Sequence, residues 1–214
     1  MRREGWQRPV CVCGVLTLSV IVGILKIALS DPGYIPDQTE DKYCDKHKSA
    51  FKPYLVVDSG RAINSSVLRL QFCQRCNIYK PPRTVHCEEC DACIANYDHH
   101  CKLLSNCIGS RSFKYYFWLL VALWNNFVHT ANQNSWDLAN RIKVVKSKGL
   151  PGSVAAINVL KQYPTFAITI PLGAVLAVLT TIELISVVRK ALRNETGNER
   201  LAKTYQSYTV RPFD

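Results

Sequence analysis

Between Cys73 and Cys107 the chain carries ten residues able to ligate a soft divalent metal: Cys73, Cys76, His86, Cys87, Cys90, Cys93, His99, His100, Cys101 and Cys107. A structural zinc takes four such ligands and keeps no open position. Two zinc ions would therefore use eight residues and leave two. If the remaining pair is one histidine and one cysteine, it is a nucleophile with a base. Cys73-x-x-Cys76 and Cys90-x-x-Cys93 have the short loop spacing that lets two thiolates grip one ion. His86 and Cys87 are adjacent, so their side chains point apart and serve different ions. The two sites should then interleave along the chain. The same logic divides His99-His100-Cys101: one of the three ligates and its neighbours face elsewhere.

Beyond these residues, the run Asp98-His99-His100-Cys101 resembles the signature of the DHHC zinc-finger protein S-acyltransferases, or palmitoyltransferases. The surrounding spacing matches as well: Cys-x2-Cys-x9-His-Cys-x2-Cys-x2-Cys-x4-Asp-His-His-Cys-x5-Cys. Lys80-Pro81-Pro82-Arg83, Asn106-Cys107-Ile108-Gly109 and Asp31-Pro32-Gly33 are similar to further family motifs. The resemblance implies one zinc held by Cys73, Cys76, His86 and Cys93. A second would be held by Cys87, Cys90, His100 and Cys107. Cys101 would be the nucleophile, His99 its base and Asp98 the group that orients the imidazole. Both zinc ions would be structural. The family's Asn-x-Thr-Thr-x-Glu element has two candidate positions. Thr180-Thr181-Ile182-Glu183 matches by letters, but Asn194-Glu195-Thr196-Gly197-Asn198-Glu199 lies at the expected place and is preferred. Two departures stand out: Lys102-Leu103 follows the signature cysteine where the family has Pro-Trp, and Ser112 stands where asparagine is common.

The implied chemistry follows from thiol physics. A free thiol has a pKa of about 8.5, and only its thiolate attacks. An imidazole can take the proton, and a carboxylate can fix that imidazole's tautomer. Attack on a fatty acyl-CoA thioester would give an acyl-Cys101 intermediate. A cysteine of a substrate protein would then accept the acyl group. Acyl-CoA (palmitoyl-CoA) is thus the expected co-substrate, with two structural zinc ions and no nucleotide. The rival reading is a membrane-anchored zinc-binding scaffold, catalytically weak or inactive. A nucleic-acid partner is not expected, because the net charge of +11 is dispersed along the chain.

These residues need elements to position them. Three runs are largely free of charge: Pro9 to Leu25, Tyr115 to Trp136, and Gln162 to Ile182 with apolar residues continuing to Val188. A spanning helix needs about 20 mostly apolar residues. The expected fold is therefore an α-helical multi-pass membrane protein with three spans. It carries a small cytosolic two-zinc module of short hairpins. The expected segments are 1–8 (amino-terminal), 9–29 (span), 30–70 (cytosolic linker) and 71–109 (zinc module). They continue as 113–134 (span), 135–162 (non-cytosolic loop), 163–188 (span) and 189–214 (cytosolic tail). Short strands are expected around Tyr54–Val57 and Val67–Leu70. Pro81-Pro82 forbids a continuous helix in the module, and metal binding supplies its folding energy. No repeat of solenoid length is evident.

Zinc thiolates persist where thiols stay reduced, which puts the module and its active site on the cytosolic side of the membrane. The expected membrane is an endomembrane (ER, Golgi or plasma membrane), with nothing in the sequence to choose among them. Arg189, Lys190 and Arg193 follow the positive-inside trend. Arg2, Arg3, Arg8 and the basic residues from Arg141 to Lys161 oppose it. Family members usually have four spans, with Asp-Pro-Gly after the second. Here the motif follows the first, so the resemblance implies that a first helix is missing. Arg111 and Lys114 read as juxtamembrane charge, and Asn125 and His129 as polar groups joining helices.

Overall fold

The computed structural model describes residues 4–36, 51–58 and 61–202. The expected amino-terminal segment, linker and tail are therefore described only in part. The chain divides into two compact units. One comprises residues 1–25 and 117–187, the other residues 26–116 and 188–214.

The first unit is helical. It holds most of α1 (Glu4–Ala28), α2 (Phe113–Lys146) and α4 (Thr165–Arg193), together with α3 (Gly152–Gln162). Among the described residues, two helices are long and apolar enough to cross a membrane: Cys11–Ala28 and Thr165–Arg193, with mean hydropathies of 2.3 and 2.1. The expected second span, 113–134, is not among them. It lies in α2, where Asn125, Asn126, His129, Asn132, Gln133 and Asn134 dilute the apolar run. Three polar groups of α2 are spent on neighbouring helices. Asn126 Nδ2 donates to Thr17 Oγ1 of α1 at 3.3 Å. Trp124 Nε1 donates to Thr181 Oγ1 at 2.9 Å, and Asn134 Nδ2 to Thr169 Oγ1 at 3.0 Å, both on α4. Hydrogen bonds of this kind hold helices together where apolar burial does not discriminate between partners. The joining residues are thus not those expected. Asn125 bonds back to Val121 O of its own helix, and His129 Nε2 is buried with no hydrogen-bond partner among the described residues. Residues 135–162, expected as a loop, are largely helical: α2 runs on to Lys146 and α3 follows.

The second unit is a ladder of hairpins. β1 (Phe51–Asp58) and β2 (Arg61–Cys73) pair antiparallel and contain both expected strands. β3 (Ile78–Tyr79) extends that sheet. β4 (Val85–Cys87) pairs with β5 (Ala92–Ile94), and β6 (His99–Cys101) with β7 (Asn106–Ile108).

The hairpins repeat. Phe72 faces Tyr79, His86 faces Cys93 and His100 faces Cys107. Successive pairs recur at a 14-residue spacing, as do Cys73, Cys87 and Cys101. Each turn closes through a left-handed residue, with φ of 54° at Asn77, 45° at Asp91 and 48° at Ser105. Asparagine and aspartate tolerate that region better than most residues. The three hairpins are one supersecondary unit used three times.

The Asp31-Pro32-Gly33 turn docks on this ladder. Asp31 Oδ1 accepts the Gly33 and Tyr34 amides at 2.7 and 2.8 Å, and its Oδ2 pairs with Arg111. The Tyr34 amide, with Gly33 and Arg111, holds its carboxyl below the ordinary range. Gly33 sits at φ 113°, where a side chain would be strained and would collide with Ser110. Its carbonyl accepts Ala95 N at 2.9 Å. Buried Asn106 donates to Ile27 O and Ser30 O, each at 2.8 Å, which satisfies the end of α1. Ser112 takes up two further backbone groups, accepting Gly109 N and donating to Cys107 O, both at 3.0 Å.

Candidate metal and thiol centre

Two clusters of ligand atoms form in the ladder. Cys73, Cys76, His86 and Cys93 converge in one, Cys87, Cys90, His100 and Cys107 in the other, with the atoms of each within 4.8 Å of one another. Their construction follows from the repeat. The Cys-x-x-Cys turn of one hairpin supplies two thiols. The cross-strand His–Cys pair of the next supplies the other two. Consecutive strand residues face opposite ways, so His86 serves the first cluster while Cys87 serves the second. The expectation that Cys90 and Cys93 share an ion fails here. Cys90 lies in the tip turn with Cys87, whereas Cys93 is on β5 opposite His86.

The imidazole-to-sulfur distances suit a tetrahedral ion, while the Cys90 and Cys107 sulfurs lie closer together, at 3.4 Å. Zn–S near 2.3 Å and Zn–N near 2.0–2.1 Å imply S···N separations of about 3.5 Å and S···S of about 3.8 Å. His100 Nδ1 stands 3.5, 3.4 and 3.5 Å from the sulfurs of Cys87, Cys90 and Cys107. His86 Nδ1 stands 3.6, 3.2 and 3.9 Å from those of Cys73, Cys76 and Cys93. Burial, reinforced by neighbouring sulfurs, pushes the Cys93 and Cys107 thiols far above the ordinary thiol range. A divalent cation at the centre is the counter-charge such a set needs to exist as thiolates. Three sulfurs and one imidazole nitrogen per cluster suit zinc.

His99 and Cys101 are not in either cluster. On β6 they flank His100, so the pleat turns both to the face opposite the metal ligand. His99 Nδ1 lies 2.9 Å from Asp98 Oδ2, and its ring packs edge-on against Tyr116 with centroids 5.4 Å apart. Cys101 is half-buried, and among the described residues no hydrogen bond joins its sulfur to His99. The repeat explains why Cys101 is spare. It occupies the first position of the third Cys-x-x-Cys turn, where the second position is Leu104 and no fourth hairpin follows. The ladder also ends at its start, where the cross-strand pair is Phe72 and Tyr79, stacked edge-on at 5.0 Å.

Asp98 is 3% exposed and has three partners. Besides His99, Lys190 Nζ pairs with its Oδ2 at 2.6 Å and the Gly197 amide donates to its Oδ1. Burial alone would raise the Asp98 pKa. The bonds from His99, Lys190 and Gly197 outweigh it and bring the value down to about 2. An ionised carboxylate can only accept, so in the 2.9 Å contact with Asp98 the donor is His99 Nδ1.

The tail element docks beside this group. Arg83, at φ 62°, donates to Asn194 Oδ1 at 3.0 Å and Asn194 O at 2.6 Å, and pairs with Glu199 at 3.0 Å. Thr196 and Glu199 cap α5 (Gly197–Ala202) reciprocally, Thr196 N to Glu199 Oε2 at 2.8 Å and Glu199 N to Thr196 Oγ1 at 3.2 Å. Thr180 bonds to its own helix and Thr181 to Trp124, so it is the 194–199 segment that reaches Asp98. Sequence reasoning missed Lys190 and Arg83 as members of this group. Motif position could have suggested Arg83, but a cation 92 residues from its partner leaves no local signal.

The profile of the family described as DHHC palmitoyltransferase matches residues 67–204. Palmitoyltransferase ZDHHC18-B of Danio rerio is 36% identical over 118 residues, 51% of this chain and 30% of the relative. Palmitoyltransferase ZDHHC8 of Drosophila melanogaster is 30% identical over 157 residues, 73% of this chain and 16% of the relative. Palmitoyltransferase ERF2 of Kluyveromyces lactis is 33% identical over 120 residues, 55% of this chain and 33% of the relative. The chain thus spans a third or less of the length of these relatives.

Proposed function

This chain belongs to the DHHC palmitoyltransferase family, and on that premise we propose that it is a protein S-acyltransferase. It moves a fatty acyl group from acyl-CoA to cysteines of substrate proteins through an acyl-Cys101 intermediate. The observation that carries this reading is the surplus: two complete metal clusters that exclude Cys101 and His99, with Asp98 bonded to His99 at 2.9 Å.

The roles follow. Zinc, when bound by the two Cys3His sets, supplies the folding energy of a module with little apolar core. His99 Nε2 takes the Cys101 proton, and Asp98 stabilises the resulting imidazolium. The Cys101 sulfur attacks the thioester carbonyl, a carbon–sulfur bond to Cys101 forms, and the bond to coenzyme A breaks. The departing thiolate takes the proton from His99. A substrate cysteine then repeats the exchange. Its proton passes to His99, its sulfur takes the acyl carbon, and Cys101 leaves as thiolate. One thioester replaces another at each step, so no external energy source is required.

Three spans remain our reading of the membrane frame, with α2 crossing by packing its polar groups against α1 and α4. The module and tail then face the cytosol of an endomembrane, with residues 135–162 across it. Cys101 lies twelve residues before α2 begins at Phe113, and on this reading that short tether keeps the thiol near the lipid surface. Each methylene an acyl chain buries there contributes about 0.8 kcal/mol.

The test is incubation of purified protein with palmitoyl-CoA, followed by peptide mapping. The expected result is a hydroxylamine-sensitive adduct on Cys101 that Cys101→Ser removes while zinc stays near two per chain. Label that persists in Cys101→Ser, or no adduct in the reduced wild type, favours the scaffold.

A further inference from the structure

We infer that Lys190 is a positioning residue for the chemistry at Cys101, acting through Asp98 and His99; the inference rests on the proposed acyl transfer for its functional meaning. Lysine is among the residues least often fully buried unless paired. Lys190 is 6% exposed and its ammonium sits 2.6 Å from Asp98 Oδ2, the same oxygen that faces His99 Nδ1. Asp98 Oδ1 is held separately by the Gly197 amide. Both oxygens of the carboxylate are therefore fixed by the segment from Lys190 to Gly197, far along the chain from the signature. Removal of one partner of a buried pair is costly because the other is left uncompensated.

The consequence is directional. With Lys190 in place, Asp98 can point only at His99, and His99 must present Nε2 to the face it shares with Cys101. Without Lys190, the carboxylate loses one of its two anchors, and the imidazole loses a fixed orientation. Among the described residues the Lys190 ammonium pairs with Asp98 and Lys190 is a member of neither ligand cluster, so its loss should act on reactivity rather than on metal content.

The experiment uses the full zinc-loaded chain in detergent. It reads three quantities: zinc per chain, acylation of Cys101 by palmitoyl-CoA, and alkylation of Cys101 by iodoacetamide resolved by peptide mass. Lys190→Met should lower both rates by tenfold or more with zinc at wild-type level and the palmitoyl-CoA half-saturation unchanged. Lys190→Arg, which keeps the cation, should recover most of the rate. In an Asp98→Asn background the Lys190→Met change should add no further loss, since residues acting through one another are not additive. Wild-type rates in Lys190→Met, or losses that add fully to those of Asp98→Asn, overturn the inference. Should Lys190→Met lose metal, the Asp98→Asn, Lys190→Met pair removes both charges and decides the matter. Equality with Asp98→Asn alone supports the inference, and a lower rate overturns it. A wild type that alkylates in a Lys190-dependent way yet forms no acyl adduct would sink the acyltransferase reading and leave the positioning role intact.

Discussion

Cys101 and Leu104 occupy in the third hairpin the places that Cys87 and Cys90 occupy in the second. One side chain, Leu104, separates a spare thiol from a metal knuckle. The alternation His99–His100–Cys101 then assigns opposite fates to adjacent residues, and mutation should separate them. His99→Ala should slow acylation by about a hundredfold or more, the usual contribution of a positioned base, with zinc unchanged. His100→Ala should release zinc and unfold the module. Loss of zinc from His99→Ala would contradict the account. Asp98 adds a pH signature. Its folded pKa of about 2 lies below the ordinary 3.8, so it contributes stability that is present above 3.8 and lost as pH falls toward 2. At 1.36 kcal/mol per unit, that contribution is on the order of 2 kcal/mol. The thermal gap between wild type and Asp98→Asn should narrow as pH falls below the ordinary carboxylate range toward 2. A gap that stays unchanged through that acid range would contradict an ionised, paired Asp98.

At the scale of elements, each ligand cluster is shared between the tip of one hairpin and the strands of the next, so three hairpins offer two sites for a metal ion. Chelation should therefore unfold the ladder as a whole. Six cysteines, namely Cys73, Cys76, Cys87, Cys90, Cys93 and Cys107, should gain reactivity toward maleimide together on EDTA treatment, while Cys101 reacts beforehand. Staggered release would argue against a shared ladder. Much of this was legible in the sequence. Adjacent His86 and Cys87 require opposite faces in any extended strand, and that alone interleaves the sites. Spacing alone leaves the partner of Cys90 open, because x2 spacing occurs twice around it and only hairpin register tells a tip turn from a strand. The split of Cys90 and Cys93 that the resemblance implies is the one the clusters have. The 14-residue recurrence was available in the letters as well. It is shorter than the repeats usually sought, and its first copy lacks the histidine and its third the second knuckle cysteine. The docking of Arg83, Lys190 and Gly197 on one site was not legible, since nothing local marks residues that meet only after the chain returns.

For the whole molecule, the helices pose the harder reading. α1 and α4 stand out by composition, whereas the apolar run of α2 is diluted by polar groups, and Trp124, Asn126 and Asn134 bond to its neighbours. Single cysteines introduced at Ser147 and Asn198 in a chain lacking Cys11, Cys13, Cys44 and Cys101, with label located by peptide mass, test the three-span frame in sealed vesicles. With the cytosolic face outward, impermeant maleimide should label position 198 and leave position 147 untouched until the membrane is opened. Equal labelling would remove α2 as a span. The central claim, a metal-organised fold that retains a reactive thiol of its own, is tested most directly by native mass spectrometry of the chain after exposure to palmitoyl-CoA. The account predicts a single species carrying two zinc ions and one acyl group together, with the acyl group on Cys101. Acylation confined to molecules that have lost a zinc ion would place that thiol among the ligands and contradict it.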